Sequence, residues 1–217
     1  MSSNLSNSIP SEAEMLQVLR QRHGEARQEK ISSATVAICG LGGLGSNIAV
    51  SLARAGIGRL ILTDFDRVDI SNLHRQQYKA SQVGICKPDA LAENLREIAP
   101  YVTLETHTVR ITEQNAPALL RDADIVCEAF DDASAKAMLT NLVLTKMPEK
   151  YLVAASGMAG FGSANDIRTR RVSSHFYLCG DGISDVADGV GLVSSRVMLC
   201  AAHQAHTVLR ILTDEIG

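Results

Sequence analysis

The sequence lacks an excess of basic charge: 21 lysines and arginines stand against 24 aspartates and glutamates, for a net charge of −3. That balance argues against nucleic-acid binding as its main function. No apolar run reaches the roughly 18 residues that a bilayer span requires, so no transmembrane helix or membrane partner is expected. Residues 1–11 have neither a basic start nor an apolar centre, so no secretory signal is expected. Cys-x-x-Cys pairs are absent, and the five cysteines are odd in number and widely spaced. Neither structural zinc nor a disulfide framework is signalled. Internal repeats and low-complexity stretches are missing too. A cytoplasmic location is the expectation.

What is present is an alternation of apolar strand-like runs and helical patterns. Residues 1–10 are expected to form a disordered tail, and residues 11–217 a single domain. Ser11-Glu12-Ala13-Glu14 reads as a capping box opening a helix to about Lys30, with Met15, Leu16, Val18 and Leu19 on its apolar side. Strands are predicted over 35–39, 59–63, 103–109, 124–129 and 151–155. Helices are predicted between them, the later ones over 88–99, 113–121 and 134–146. This order predicts a Rossmann-like, doubly wound, mainly parallel α/β sheet. Runs 166–172 and 174–178 read as antiparallel C-terminal additions. Residues 64–84 are too polar to be core. A last helix, about 192–212, carries apolar residues almost all round, which suits burial against the sheet or in a subunit interface.

The chemistry concentrates in four places. Gly40-Leu41-Gly42-Gly43-Leu44-Gly45-Ser46 follows the first strand and opens a helix, the arrangement of a nucleotide phosphate site. Gly40, Gly42 and Gly45 fit G-x-G-x-x-G; a tight turn without ligand is the alternative reading. Asp64, nineteen residues beyond Gly45, stands where a ribose-binding acid is expected. Taken alone, these features favour a nicotinamide dinucleotide. The run from Asp64 through Asp66, Asn72, Arg75 and Gln76 then adds a cationic, hydrogen-bonding clamp. Arg75 can fork onto phosphate oxygens, Asn72 can hold that arginine or the phosphates, and Lys87 can reach the β- and γ-phosphates. A triphosphate losing pyrophosphate needs such a clamp; a dehydrogenase does not. Asp131 and Asp132, beyond the fourth strand, could hold Mg²⁺ or cap the next helix.

Together these residues resemble the ThiF/MoeB adenylyltransferases, which are related to ubiquitin-activating enzymes. The likeness rests on Gly-Leu-Gly-Gly-Leu-Gly-Ser, Asp-Phe-Asp-x-Val-x-x-Ser-Asn-Leu-x-Arg-Gln and Gly84-x-x-Lys87, and extends over about residues 20–213. It implies binding of Mg-ATP and adenylylation of the C-terminal glycine of a ubiquitin-like sulfur carrier, with release of pyrophosphate. Within that resemblance Gly43 lies by the phosphates and Asp64 holds the ribose. Asn72, Arg75 and Gln76 line the phosphates, Lys87 neutralises them, and Asp131 is the magnesium and catalytic carboxylate. A homodimer is implied as well, with Arg20 or Arg22 a candidate for reaching a neighbouring subunit's ATP.

Departures from the family pattern are specific. Where relatives have Asp-x-x-Asp-Asn-x-x-x-Arg, this chain has Glu128, Asp131, Asp132 and Lys136. The zinc-binding cysteine pairs are missing, so no zinc is expected. The closest resemblance is to the short, zinc-free ThiF-like branch of thiamine biosynthesis, with a ThiS-like carrier as partner. Two other readings stay open: a NAD-dependent oxidoreductase and a non-catalytic nucleotide-binding adaptor. Cys179 reads as a partly buried spectator rather than a sulfur-handling thiol. His203 and His206 have ligand-compatible spacing but no accompanying carboxylate, and read as surface or interface residues.

Overall fold

A computed structural model describes residues 9–189 and 191–216. The first eight residues of the expected tail therefore lie outside it. Helix α1 (Glu12–His23) opens on Ser11, whose hydroxyl and Glu14 form the expected capping box. Instead of continuing to Lys30, it stops at Gly24 (φ +87°), and α2 (Glu25–Ser33) begins a new axis. α1 buries none of its residues, and Val18 is exposed.

The alternating core follows: β1 (Thr35–Cys39), α3 (Gly43–Arg54), β2 (Arg59–Thr63), α4 (Lys87–Ile98), β3 (Thr103–His107), α5 (Ala116–Leu119), β4 (Ile125–Glu128), α6 (Ala133–Lys146) and β5 (Tyr151–Ala155). Then come β6 (Arg168–Arg171), β7 (Phe176–Gly180) and the long α7 (Ser194–Leu212). The sheet order is β3-β2-β1-β4-β5-β7-β6. Every neighbouring pair is parallel except β6–β7, so the antiparallel addition is β6 against β7, while β7 itself runs parallel to β5. The predicted helix over 113–121 shrinks to one turn at Ala116–Leu119.

Strand alternation covers both sheet faces. Val36, Ile38, Leu60, Leu62, Ile125 and Cys127 meet α3, α4 and α7 on one side. Ala37, Cys39, Ile61 and Val126 meet α5 and α6 on the other. α7 carries apolar residues on both sides but is buried on one: Val197, Cys200, Ala201 and Val208 are enclosed, while Met198, Ala202, His206 and Arg210 are exposed. Nor is the 64–84 segment free of core residues, because Val68, Gln76, Tyr78 and Gln82 are buried. Their partners explain it: Tyr78 Oη donates to Leu41 O at 2.7 Å, and the Gln82 amide bonds Ala90 O and Asn94. No helix among the described residues is long and apolar enough to cross a membrane.

Candidate active site

β1 and β4 are the adjacent strands from which the two halves of the parallel sheet diverge, and in open α/β sheets the ligand crevice lies outside the carboxyl ends of the strands at that point. The glycine turn after β1 forms its floor. Gly40 has φ +91°, and a Cβ on it would stand 2.8 Å from Ala129 O. A Cβ on Gly45 would stand 1.8 Å from Gly40 O, so this glycine lets the helix approach the strand. Gly42 is the N-cap of α3 and supplies no side-chain cap, which leaves the first N–H groups of the helix for an anion. Gly43 lies beside the Arg75 stem and Val197.

Asp64 is buried at the end of β2. Its Oδ2 accepts from Leu41 N at 2.6 Å and its Oδ1 from Asp66 N at 2.8 Å. The carboxylate thus ties the glycine turn to the neighbouring loop, a structural duty that sequence reading missed. A carboxylate offers about four lone-pair positions, so capacity for hydroxyl groups remains. Asp66 pairs with Lys87 Nζ at 3.0 Å, and Asp64 lies 3.9 Å from the same ammonium. Lys87 is the first residue of α4 rather than lying ahead of it, and its side chain is buried.

Asn72 is the hub of the expected clamp. Its Oδ1 accepts from Arg75 Nη2 at 3.1 Å and from Gln76 Nε2 at 2.9 Å. Arg75 Nε and Gln76 Oε1 are both buried without a partner among the described residues. The Arg75 Nε–H, a desolvated donor beside a helix N-terminus without a side-chain cap, suits a phosphate oxygen, whereas Gln76 Oε1 is an acceptor and suits a hydroxyl or N–H group. The segment is anchored to α3 by Asn47 Nδ2 to Arg75 O (3.2 Å) and Gln77 N to Ser46 Oγ (3.1 Å).

Of Asp131 and Asp132, the second takes the capping role. Asp132 caps α6, accepting from Ala135 N at 2.8 Å, whereas Asp131 is exposed and makes no hydrogen bond or ion pair among the described residues. No group of three or more metal-ligating side chains occurs among those residues. Mg²⁺ usually takes one or two carboxylates together with phosphate oxygens, so Asp131 and a bound triphosphate fit it without a dedicated cage.

Residues outside the motif also matter. Arg110 stacks 3.9 Å above the half-exposed ring of Phe65, immediately after Asp64. His74, a variable position of the signature, has Nε2 3.2 Å from Leu192 O and so touches the entry to α7. Neither was visible in sequence, because both contacts join distant segments. Cys179 is buried, and burial pushes its thiol up despite contacts to Thr169 and Thr207, in keeping with a spectator. His203 bonds Thr169 Oγ1, and His206 is exposed. Arg20 and Arg22 are exposed on α1, and neither meets a carboxylate among the described residues.

Next to this crevice, a cleft of about 640 Å³ runs between residues 159–162, β6 and residues 180–185. The Asp181–Arg196 pair (2.5 Å) braces it, and Arg196 Nη1 also donates to Ser163 O. Burial would raise the Asp181 pKa, but bonds from Ile183 N, Ser184 N, Ser184 Oγ and Arg196 hold it well below the usual carboxylate range. A depressed folded-state pKa adds stability above the unfolded value, near pH 4, and that stability is lost as pH falls further. Asp181→Asn should therefore lower the melting temperature at neutral pH and flatten the acid limb below about pH 4, read from thermal denaturation across pH.

A helix N-terminus without a side-chain cap, with a guanidinium and an ammonium held near it at the strand ends of a parallel sheet, makes an anion-favouring corner in an α/β protein. The chain belongs to the ThiF family, whose model matches residues 15–216. It is 35% identical over 210 residues to an Anopheles gambiae protein named adenylyltransferase and sulfurtransferase MOCS3, covering 93% of this chain and 46% of that one. It is 37% identical over 143 residues to an Aspergillus terreus adenylyltransferase and sulfurtransferase, uba4, covering 65% of this chain and 29% of the relative. The chain thus spans less than half the length of these relatives. Among solved structures, the E. coli tRNA N6-threonylcarbamoyladenosine dehydratase TcdA, in complex with ATP, superposes with a TM-score of 0.85 at 20% identity, covering 96% of this chain and 98% of that one. E. coli MccB superposes with a TM-score of 0.69 at 20% identity, covering 88% of this chain and 60% of that one. These two likenesses concern the fold.

Proposed function

We propose that the chain adenylylates the C-terminal glycine of a ubiquitin-like sulfur-carrier protein, using ATP with Mg²⁺, and that this carrier is the ThiS-like one of thiamine biosynthesis. The observation that carries the reading is the Asn72–Arg75–Gln76 clamp with its unsatisfied Arg75 Nε, set beside the α3 N-terminus and Lys87. A dinucleotide would leave these cations without a task. The sulfur carrier is favoured by the relatives named adenylyltransferase and sulfurtransferase. We further propose that the protein works as a cytoplasmic homodimer.

The chemistry needs no general base, since the carrier's terminal carboxylate is already a nucleophile. One of its oxygens attacks the α-phosphorus; the bond from that phosphorus to the bridging oxygen breaks, and pyrophosphate leaves with its electron pair. The acyl-adenylate stays on the carrier. Gly42 and Gly43 N–H groups, Arg75 and Lys87 stabilise the charge that gathers on the α-phosphate and the departing pyrophosphate. Asp64 and Asp66 orient the ribose side, and Asp131 would hold Mg²⁺, which supplies further charge neutralisation on the phosphates. The cleft of about 640 Å³ braced by Asp181 and Arg196 is the proposed path for the carrier tail.

Intact-mass measurement of a Gly-Gly-ended carrier, incubated with the chain, ATP and Mg²⁺, tests the proposal. Gain of one adenylyl group, abolished by deleting the carrier's last two glycines, is the expected result. Asp131→Ala should slow its appearance about 100-fold or more. An unmodified carrier, with a small carboxylic acid or NAD turned over instead, would overturn the reading. Faster modification of a carrier from another sulfur pathway would overturn the thiamine assignment alone.

A further inference from the structure

We propose that Glu128, Lys136 and Gln204 are positioning residues that set the turn carrying Asp131 and thereby tune metal-dependent nucleotide binding. This inference rests on the nucleotide-site reading above. Glu128 ends β4 fully buried, an expensive place for a carboxylate unless its partners are good. Its Oε1 accepts from Phe130 N at 2.7 Å, which closes a tight turn directly ahead of Asp131. Lys136, in the first turn of α6, gives one hydrogen to each carboxylate oxygen (3.1 and 3.0 Å) and the third to Ala155 O on β5 (3.1 Å). Its three donors are consumed, so Lys136 is not a phosphate ligand.

The same turn is held from two further sides. Gln204 on α7 donates to Glu128 O (3.1 Å) and Val153 O (3.2 Å). Ala129 N donates to Cys39 O at 2.9 Å, and Ala129 O lies where a Cβ on Gly40 would intrude. Asp132 is pinned as the α6 cap. Between two fixed neighbours, Asp131 alone has an unengaged carboxylate. A buried ion pair is weak evidence of stabilisation but a good means of fixing one geometry. Two of the three departures from the family pattern at this motif, Glu128 and Lys136, are partners of one another.

Calorimetric titration of ATP at several Mg²⁺ concentrations reads this without any carrier, so failure of carrier adenylylation leaves the test intact. The variants are Lys136→Met and, to avoid an unpaired buried charge, Glu128→Gln with Lys136→Met; each is measured alone and with Asp131→Asn. Expected is a rise of about tenfold in the Mg²⁺ needed for half-maximal tight binding, shrinking to less than about twofold when Asp131→Asn is present. Glu128→Asp with Lys136→Arg should recover the wild-type metal dependence to within about threefold, because it restores an ion pair. An equal effect with and without Asp131→Asn, or an unchanged metal dependence in a folded double variant, would overturn the proposal.

Discussion

Arg75→Ala should lower carrier adenylylation by about 100- to 1,000-fold while leaving the fold intact. The size follows from where charge develops. Arg75 reaches the site with its stem against Gly43 and one Nη held by Asn72, so its orientation is set before the ligand arrives. Its Nε is buried without a partner, so a phosphate oxygen would meet a donor that has already lost its water. Arg75 makes no ion pair with a carboxylate among the described residues, so its loss removes little folding energy. Arg75→Lys should recover little, because an ammonium cannot keep the Asn72 bond and present a second fixed donor together. Steady-state kinetics with ATP and carrier varied separately check this, and the loss should fall mainly on kcat. A loss under about tenfold would remove Arg75 from the reacting charge.

Gly45→Ala should destabilise the chain by about 3–5 kcal/mol, a large share of the 5–15 kcal/mol typical of a domain. The added methyl would sit 1.8 Å from Gly40 O and 3.1 Å from Ile38 Cγ2, both in the core layer. Relief requires moving α3 off β1, which breaks packing along the whole helix. Gly42→Ala, three residues away, separates the two duties of the loop. Its methyl would meet only Gln76 Nε2 at 3.8 Å, so stability should change by less than about 1 kcal/mol, while ATP affinity falls because the methyl faces the anion position. Chemical denaturation and ATP titration of both variants measure the contrast.

The parallel core was legible because its strands are continuous apolar runs: 35–39, 59–63 and 151–155 are found with the predicted bounds. Local glycine effects were harder to weigh. Gly24 breaks a helix that periodicity carried onward, and the short α5 buries only Ala116, too little to support the longer helix its composition suggested. In the site, the clamp residues could be named from sequence because they share one short segment. Asn72, Arg75 and Gln76 do lie together, and Lys87 joins Asp66. The supporting contacts were illegible because they are tertiary: Glu128 with Lys136 and Gln204, Tyr78 with Leu41, His74 with Leu192. A polar residue read alone looks solvated; only packing shows that Gln82 or Glu128 is enclosed.

Carrier-dependent ATP–pyrophosphate exchange is the most direct measurement of the central claim, that this crevice supports reversible attack on the α-phosphate. Label from pyrophosphate should enter ATP only when chain, Mg²⁺ and a Gly-Gly-ended carrier are all present, and it should fall to background with Asp131→Ala. Exchange that persists without any carrier, or that is unchanged by Asp131→Ala, would contradict it.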